Sequence, residues 1–288
     1  MYKIQNHRLV GVPFEQAEKV GKVITPTIIV VHDTASSLVK YAAANYLRKN
    51  DRGVSVHLVV ERDGTPQQQV DFNRQANHAG QSIYNGREFC NGFSIGIEIV
   101  NPGIMTKGPT PDVAISYGKE YNRKEYDIHE AKALPNGGMG IWMNYTPEQI
   151  ATVKNLVAAL VKEYPSIKDV VPHWFISPGR KVDTNPLFPL QDVKNFAFGA
   201  GGAPADDETP GPAATASGKV KTLVDDLNLR KWPSFNDNVL AQLDKGTELV
   251  VIKSGTFDDG GKKVNWLQVS FNGQKGWIVD RADYVSKL

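Results

Sequence analysis

The sequence predicts an α/β protein, with a mixed central β-sheet flanked by helices, followed by a small all-β barrel. Three observations carry this reading. Through the first two thirds of the chain, apolar runs rich in β-branched residues alternate with stretches of helical period, the pattern of a sheet covered by helices. Residues 199–218, GAGGAPADDETPGPAATASG, hold only Gly, Ala, Pro, Asp, Glu, Thr and Ser. Burial there cannot offset the entropy of ordering, so a flexible linker is expected. Beyond it, short segments alternate apolar and polar residues, and turn pairs recur as Lys-Gly, Asp-Asp-Gly-Gly and Asn-Gly. The expected organisation is a first domain over 1–198, a linker over 199–218 and a barrel over 219–288.

The first domain can be read in chain order. TIIVVHDT (27–34) predicts a buried strand that ends at His32. SSLVKYAAANYLRKN (36–50) sets Leu38, Ala42 and Tyr46 or Leu47 at helical spacing, with serines as caps and Asn50 near the stop. VSVHLVVERDGT (54–65) reads as a strand closing on an Asp-Gly turn, with QQQVDF (67–72) as its hairpin partner. FSIGIEIVN (93–101) is a further strand, almost wholly apolar apart from Glu98. Residues 102–145, rich in Gly, Pro, Tyr and charge, show no clear period and are expected to form a long functional loop. The strongest helical signal covers 147–164. Thr146 can cap it, Pro147 suits the first helical position, Gln149 completes a capping box, and Ile150, Val153, Val157, Leu160, Val161 and Tyr164 form one stripe.

Composition narrows the classes of function. The 288 residues are 41% hydrophobic, enough to bury a core, and 33 basic against 31 acidic residues give a formal charge of +2. No basic block stands out, which argues against nucleic acid as a partner. Cys90 is the only cysteine, so neither an intramolecular disulfide nor a cysteine-based metal site can form. No apolar run reaches the ~18 residues of a membrane span, and the N-terminus lacks the basic start and apolar stretch of a signal peptide.

Any metal must therefore use His, Asp or Glu. A catalytic zinc needs three protein ligands and one open position. His32 and His173 each end an apolar run, and the turn through Pro178 and Gly179 in VVPHWFISPGRKVD can return Asp183 towards His173. Taken singly, these residues have plainer readings: a histidine at a strand end can be a hydrogen-bonded structural group, and Lys181 a solvated charge. Glu98 weakens the plain reading, because a lone carboxylate inside SIGIEIV is costly to bury without a partner or a task.

IIVVHDTA, HLVVERDGT, NHAG, SIGIEIVNPG and VVPHWFISPGRKVD occur in the order seen in the zinc N-acetylmuramoyl-L-alanine amidases of the Amidase_2 type, and residues 23–195 resemble that family. The resemblance implies the amidase and peptidoglycan-recognition fold, with one zinc ion per chain held by His32, His173 and Asp183. It also implies Glu98 and Lys181 as catalytic residues, and His57 and His78 as positions lining the cleft for substrate. The reaction implied is hydrolysis of the amide between N-acetylmuramic acid and L-alanine, with Glu98 moving the proton and Lys181 facing the carbonyl oxygen. Phe175 stands where the family often has an acidic residue, DTNP replaces its Asp-Pro-Gly ending, and Val56 occupies a position that is tyrosine in some members. His7 and His129 match nothing and read as surface residues.

Residues 222–285 resemble a bacterial SH3-like (SH3b) domain, with an Asn-Leu-Arg opening and a Gly-Trp closing strand. Such modules bind cell-wall peptide or glycan, which makes Trp232, Trp266 and Trp277, with Phe235 and Tyr284, candidates for wall contact. In so small a barrel the same aromatics could instead be core. The expected protein is a monomeric peptidoglycan hydrolase made in the cytoplasm and acting on the wall after release or secretion, as endolysins and effectors do. The alternatives are a peptidoglycan-binding module that does not cut and a zinc hydrolase acting on another amide.

Overall fold

The computed structural model describes residues 2–85, 87–133, 138–177, 180–199, 218–230, 233, 239–259 and 262–288. The linker expected over 199–218 lies outside the described residues except for its terminal glycines, as do Trp232, Phe235 and the Pro178-Gly179 turn. Among the described residues no helix is long and apolar enough to cross a membrane.

In chain order the first domain contributes β1 (Ile28–Asp33), α1 (Ala42–Arg48), β2 (Leu58–Val60), β3 (Pro66–Gln68) and β4 (Ser94–Ile99). There follow β5 (Ile104–Lys107), β6 (Val113–Ser116), β7 (Lys119–Asn122), β8 (Ile128–Lys132) and β9 (Met139–Met143). Then come α2 (Pro147–Glu163), β10 (Asp169–Pro172), the single turn α3 (His173–Ile176) and α4 (Leu190–Phe198). The central sheet runs β10-β1-β4-β2-β3. Its first four strands are parallel, and β3 pairs antiparallel with β2 as the Asp-Gly turn requires.

Strand alternation divides the two faces. Ile29 and Val31 of β1, Leu58 and Val60 of β2, and Ile95, Ile97 and Ile99 of β4 meet Val153, Leu156, Val157 and Leu160 of α2 in one core. Each of these side chains contributes ~1.5–3 kcal/mol by leaving water. The helix starts where the sequence puts it. Gln149 N–H donates to Thr146 Oγ1 and Gln149 Oε1 accepts from Thr146 N–H, closing the capping box. The other face carries Ile28, Val30 and Val171 against Phe93 and Ile176. Beyond that patch it becomes polar, and the candidate site lies there.

Two expectations are corrected. The serines ahead of α1 do not cap it. Past the end of β1, the backbone N–H groups of Thr34 and Ser36 donate to Ile99 O and Asn101 O, and Tyr41 enters the helix with φ 64° and no side-chain cap. Asn50 does close the far end, its amide donating to Tyr46 O and its carbonyl accepting from Val54 N–H. Residues 102–145 are not a long loop. They form a five-stranded antiparallel sheet in the order β7-β6-β5-β9-β8, with Met105, Ala114, Tyr121, Ile128, Ile141 and Met143 in its core. Its strands are only four or five residues long, and Ala114 and Ser116 are among their inward positions, so the alternation carries little hydrophobic contrast.

The C-terminal unit is one seven-stranded sheet of β11 (Gly218–Thr222), β12 (Leu227–Arg230), β13 (Val239–Leu243), β14 (Glu248–Asp259), β15 (Lys262–Phe271), β16 (Gln274–Val279) and β17 (Val285–Lys287). The strand order is β13-β12-β16-β15-β14-β11-β17. The two marker motifs meet in it. Arg230 pairs with Trp277, and a Cβ on Gly276 would lie 2.7 Å from Leu229 Cδ1, so the Gly-Trp step needs glycine where it crosses the Asn-Leu-Arg strand. Trp266 and Trp277 are core residues, 1% and 8% exposed, which corrects their reading as wall-stacking surfaces. Tyr284 is half-buried, with the Arg281 guanidinium 4.7 Å from its ring centre.

Thr146→Ala removes the Gln149 cap and the Thr146 hydroxyl bond to Arg62 O. A loss of about 1 kcal/mol is expected in urea unfolding of the first domain followed by circular dichroism, while Glu148→Ala, exposed in the same turn, should change stability by less than about 0.5 kcal/mol.

Candidate metal centre

In the parallel pair β1–β4, His32 is in register with Glu98, so both side chains rise from the same face. On the other side of β1, Pro172 pairs with Val31, which brings His173 level with His32. Asp183 arrives from the following segment. Its carbonyl accepts from Trp174 N–H at 2.6 Å, and Thr184 Oγ1 donates to Val31 O at 2.7 Å. His32 Nδ1 lies 2.9 Å from His173 Nδ1 and 3.4 Å from Asp183 Oδ2, and His173 Nδ1 lies 2.9 Å from Asp183 Oδ2. Among the described residues this is the one group of three His, Cys, Asp or Glu whose ligand atoms converge within 4.8 Å.

The hydrogen-bond network assigns the protons. Ser94 donates its hydroxyl to Cys90 O, so its oxygen accepts from His78 Nε2. His78 Nδ1 then carries a lone pair and accepts from His32 Nε2–H at 2.9 Å, which leaves His32 Nδ1 unprotonated. His173 Nε2 lies 3.0 Å from Ala79 O, an acceptor only, and 3.3 Å from Arg180 Nη2, which has Ala79 O, Gln81 O and Ser177 Oγ as nearer acceptors; with the His173 proton given to Ala79 O, His173 Nδ1 is also bare. Two imidazole lone pairs and a carboxylate oxygen thus face one point with no proton to share, an arrangement that a cation would stabilise. Their spacing approaches the ~3.3 Å edge of a tetrahedron with bonds of ~2.0–2.1 Å. The donor set fits zinc, and His32 and His173 each have an outer partner that orients the ring.

Electrostatics agree with this assignment. Burial, then the neighbouring His173, lowers the His32 pKa to about 4, and burial puts His78 well below the ordinary value. Burial alone would raise Asp183, but a proton or positive charge carried on the imidazole side of the cluster holds it well below the usual carboxylate range, so the carboxylate favours a cation at this point. Glu98 goes the other way. Burial, with Asp183 and Asp33 nearby, lifts it to about 8, and its Oε2 is shielded from solvent without a hydrogen-bond partner. The Lys181 ammonium acts on both Glu98, lowering its pKa, and His32.

The histidines expected to line the cleft play other parts. His57 is fully buried, donates from Nε2 to Arg74 O and accepts at Nδ1 from Gly96 N–H. It is a structural histidine, and its reading as a substrate contact is corrected. His78 commits both ring nitrogens to His32 and Ser94, so neither is left for substrate. Its seat depends on Gly96: a Cβ there would lie 2.5 Å from His78 Cγ. His7 and His129 are exposed, bonded to Tyr164 and Asp127.

Several residues around the cluster were not singled out from the sequence. Arg180 donates to Ala79 O, Gln81 O and Ser177 Oγ, pinning the segment between His173 and Asp183. On the opposite face of β1, Asp33 accepts from Asn185 N–H at 2.8 Å and from the Tyr145 hydroxyl. Burial raises its pKa to about 7. A carboxylate inside IIVVHD was a visible signal for Asp33, whereas nothing local marks Tyr145 or Asn185.

A family model described as N-acetylmuramoyl-L-alanine amidase (Amidase_2) matches residues 22–186, more than half of the chain. The chain belongs to the N-acetylmuramoyl-L-alanine amidase family. A bacterial SH3 domain model matches residues 225–286 of this amidase-family chain. It is 33% identical over 136 residues to the 1,6-anhydro-N-acetylmuramyl-L-alanine amidase AmpD of Citrobacter freundii, covering 47% of this chain and 52% of that protein. It is 27% identical over 181 residues to the N-acetylmuramoyl-L-alanine amidase AmiD of Escherichia coli (strain K12), covering 60% and 54%. The chain thus spans about half the length of the curated relatives it matches. A crystal structure of a selenomethionine derivative of AmpD aligns with a TM-score of 0.48 at 23% identity, over 67% of this chain and 98% of that one.

The raised Glu98 pKa gives a signed prediction for the metal-free protein. Folded Glu98 stays neutral up to about pH 8, whereas unfolded it ionises above 4.5, so its contribution to stability is lost as pH rises through that window. Thermal melts in chelator should show Glu98→Gln more stable than wild type at pH 9, with most of that gain gone at pH 5. The same gain at both pH values would mean that the carboxyl is ionised throughout.

Proposed function

We propose that the protein hydrolyses the amide bond between the lactyl group of N-acetylmuramic acid and L-alanine of the stem peptide in peptidoglycan, as a monomer with one zinc ion held by His32, His173 and Asp183. The observation that carries this reading is the convergence of three bare donor atoms beside a carboxyl whose Oε2 is unpartnered. Zinc bound there would supply Lewis-acid polarisation of the amide carbonyl and a water of lowered pKa. Glu98, in register with His32, takes the proton of the attacking water and returns one to the departing amine. Without metal the buried carboxyl is held neutral up to about pH 8, and the positive charge of a bound zinc beside it would favour the ionised form that accepts the proton. Lys181 places a fixed positive charge where negative charge develops on the carbonyl oxygen.

The setting we infer is lytic, with the protein made in the cytoplasm and reaching the wall on release or secretion. The SH3-like unit would hold it on the sacculus, and the 199–218 linker would keep the catalytic unit at high local concentration near its anchor. With Trp266 and Trp277 in the barrel core, Trp232 and Tyr284 are the aromatic candidates for that contact. The relatives' names include both 1,6-anhydro-muramyl and general muramoyl amidases. A wall-anchoring domain favours intact sacculus over small soluble muropeptides.

Digestion of purified peptidoglycan, read by mass spectrometry, tests the reading. Stem peptides starting at L-alanine should appear, vanish with a zinc chelator and return when zinc is restored. Glu98→Ala should lower the rate by at least ~10²-fold while zinc binding is retained. Binding of peptidoglycan without any release by zinc-loaded protein would identify a recognition module instead.

A further inference from the structure

Asp183 is the one member of the cluster that no regular element carries, so something else must aim its carboxylate. The two residues after it are almost fully buried, Thr184 and Asn185 at 2% exposure each, and are held from behind the sheet. Asn185 N–H donates to Asp33 Oδ2 and lies 3.2 Å from the Tyr145 hydroxyl, and Asn185 Nδ2 donates to Met143 O at 3.1 Å. Tyr145 in turn donates to Asp33 Oδ1 and packs its ring edge-on against Phe188 at 5.3 Å. Asp33 follows His32 directly, so on β1 one residue faces the cluster and the next faces this clamp. Met143 and Tyr145 are the exit of the inserted five-stranded sheet. Met143 O also accepts from Asn101 Nδ2, joining that exit to the end of β4.

We propose that Tyr145 is a positioning residue for the metal centre: by bridging Asp33 and Asn185 from the back of the sheet it sets the direction of the Asp183 carboxylate towards His32 and His173. The inserted sheet then has a mechanical role, since its last strand delivers the hydroxyl that locks the third ligand. The inference rests on the zinc reading above. It separates from ordinary packing because the ring and the hydroxyl do different things. Tyr145→Phe keeps the ring against Phe188 and removes only the donor to Asp33.

Zinc dissociation constants, measured by competition with a chromophoric chelator on the full chain, test it. Tyr145→Phe should bind zinc about 10- to 100-fold more weakly than wild type. Val157→Ala, a truncation in the same core away from the clamp, should bind within about twofold of wild type while lowering the metal-free melting temperature. Asp33→Asn retains one acceptor in place of two. If both residues act through the same bridge, the Tyr145→Phe, Asp33→Asn double variant binds no more than about threefold more weakly than the weaker single variant. Unchanged affinity in Tyr145→Phe overturns the inference, as do fully additive single effects or affinities that follow melting temperature across all variants, Val157→Ala included. Failure of wild type to bind zinc overturns the metal reading itself, and this inference with it.

Discussion

Residues in register on neighbouring strands point to the same side of a sheet, and in the β10-β1-β4 trio that rule places His32, Glu98 and His173 at the centre of this protein. His32 opposite Glu98, and His173 one step beyond the Pro172–Val31 pair, stand on one face because β1 is paired on both edges with parallel strands. The intervening residues, Ile29, Val31, Ile95, Ile97 and Ile99, must then enter the core under α2. A slip of one residue in either pairing would bury the imidazoles among aliphatics and turn the isoleucines into the cleft. The hydrophobic core and the chemistry are therefore held by one constraint.

The polar face is expensive, and the chain offsets that cost by pairing nearly every buried group. Cys90 O, Ser94 and His78 form a path of single donors and single acceptors that ends at His32 and leaves its other nitrogen bare, while His57 is satisfied separately by Arg74 O and Gly96 N–H. Such a network has one low-energy proton arrangement, so it specifies tautomers as well as positions. Glu98 Oε2, like Gln67 Oε1 and Gln69 Oε1 at the far edge of the sheet, is left without a partner, and it is the one that stands beside the cluster. An unpaired buried oxygen normally costs about 1–3 kcal/mol, and one retained at a cluster of bare donor atoms is poised for a ligand or a proton.

The inserted sheet and the barrel show how small residues hide structure. In the insertion, Ala114 and Ser116 turn inward, so the strands read as polar loop although they pair regularly. In the barrel, Trp266 and Trp277 read from the resemblance as binding surface with core as the alternative, and packing decides for core: Phe257 lies edge-on to Trp277 at 5.1 Å. A barrel of about 70 residues has few other large side chains with which to fill its centre.

Much of this protein was legible one segment at a time. Strongly β-branched runs fixed β1, β2 and β4; the Thr146, Pro147 and Gln149 signature placed the start of α2 to the residue; and the ordered motifs from IIVVHDTA to GRKVD pointed to the family. Those signals are local, because strand propensity, capping and motif spacing depend on neighbours within a few positions. Which nitrogen of His32 is bare, why His57 is structural, and how Asp33, Tyr145 and Asn185 clamp the segment after Asp183 depend on contacts between residues up to 152 positions apart. Only the folded sheet decided these, since a hydrogen bond across its two faces leaves no periodic trace in the chain.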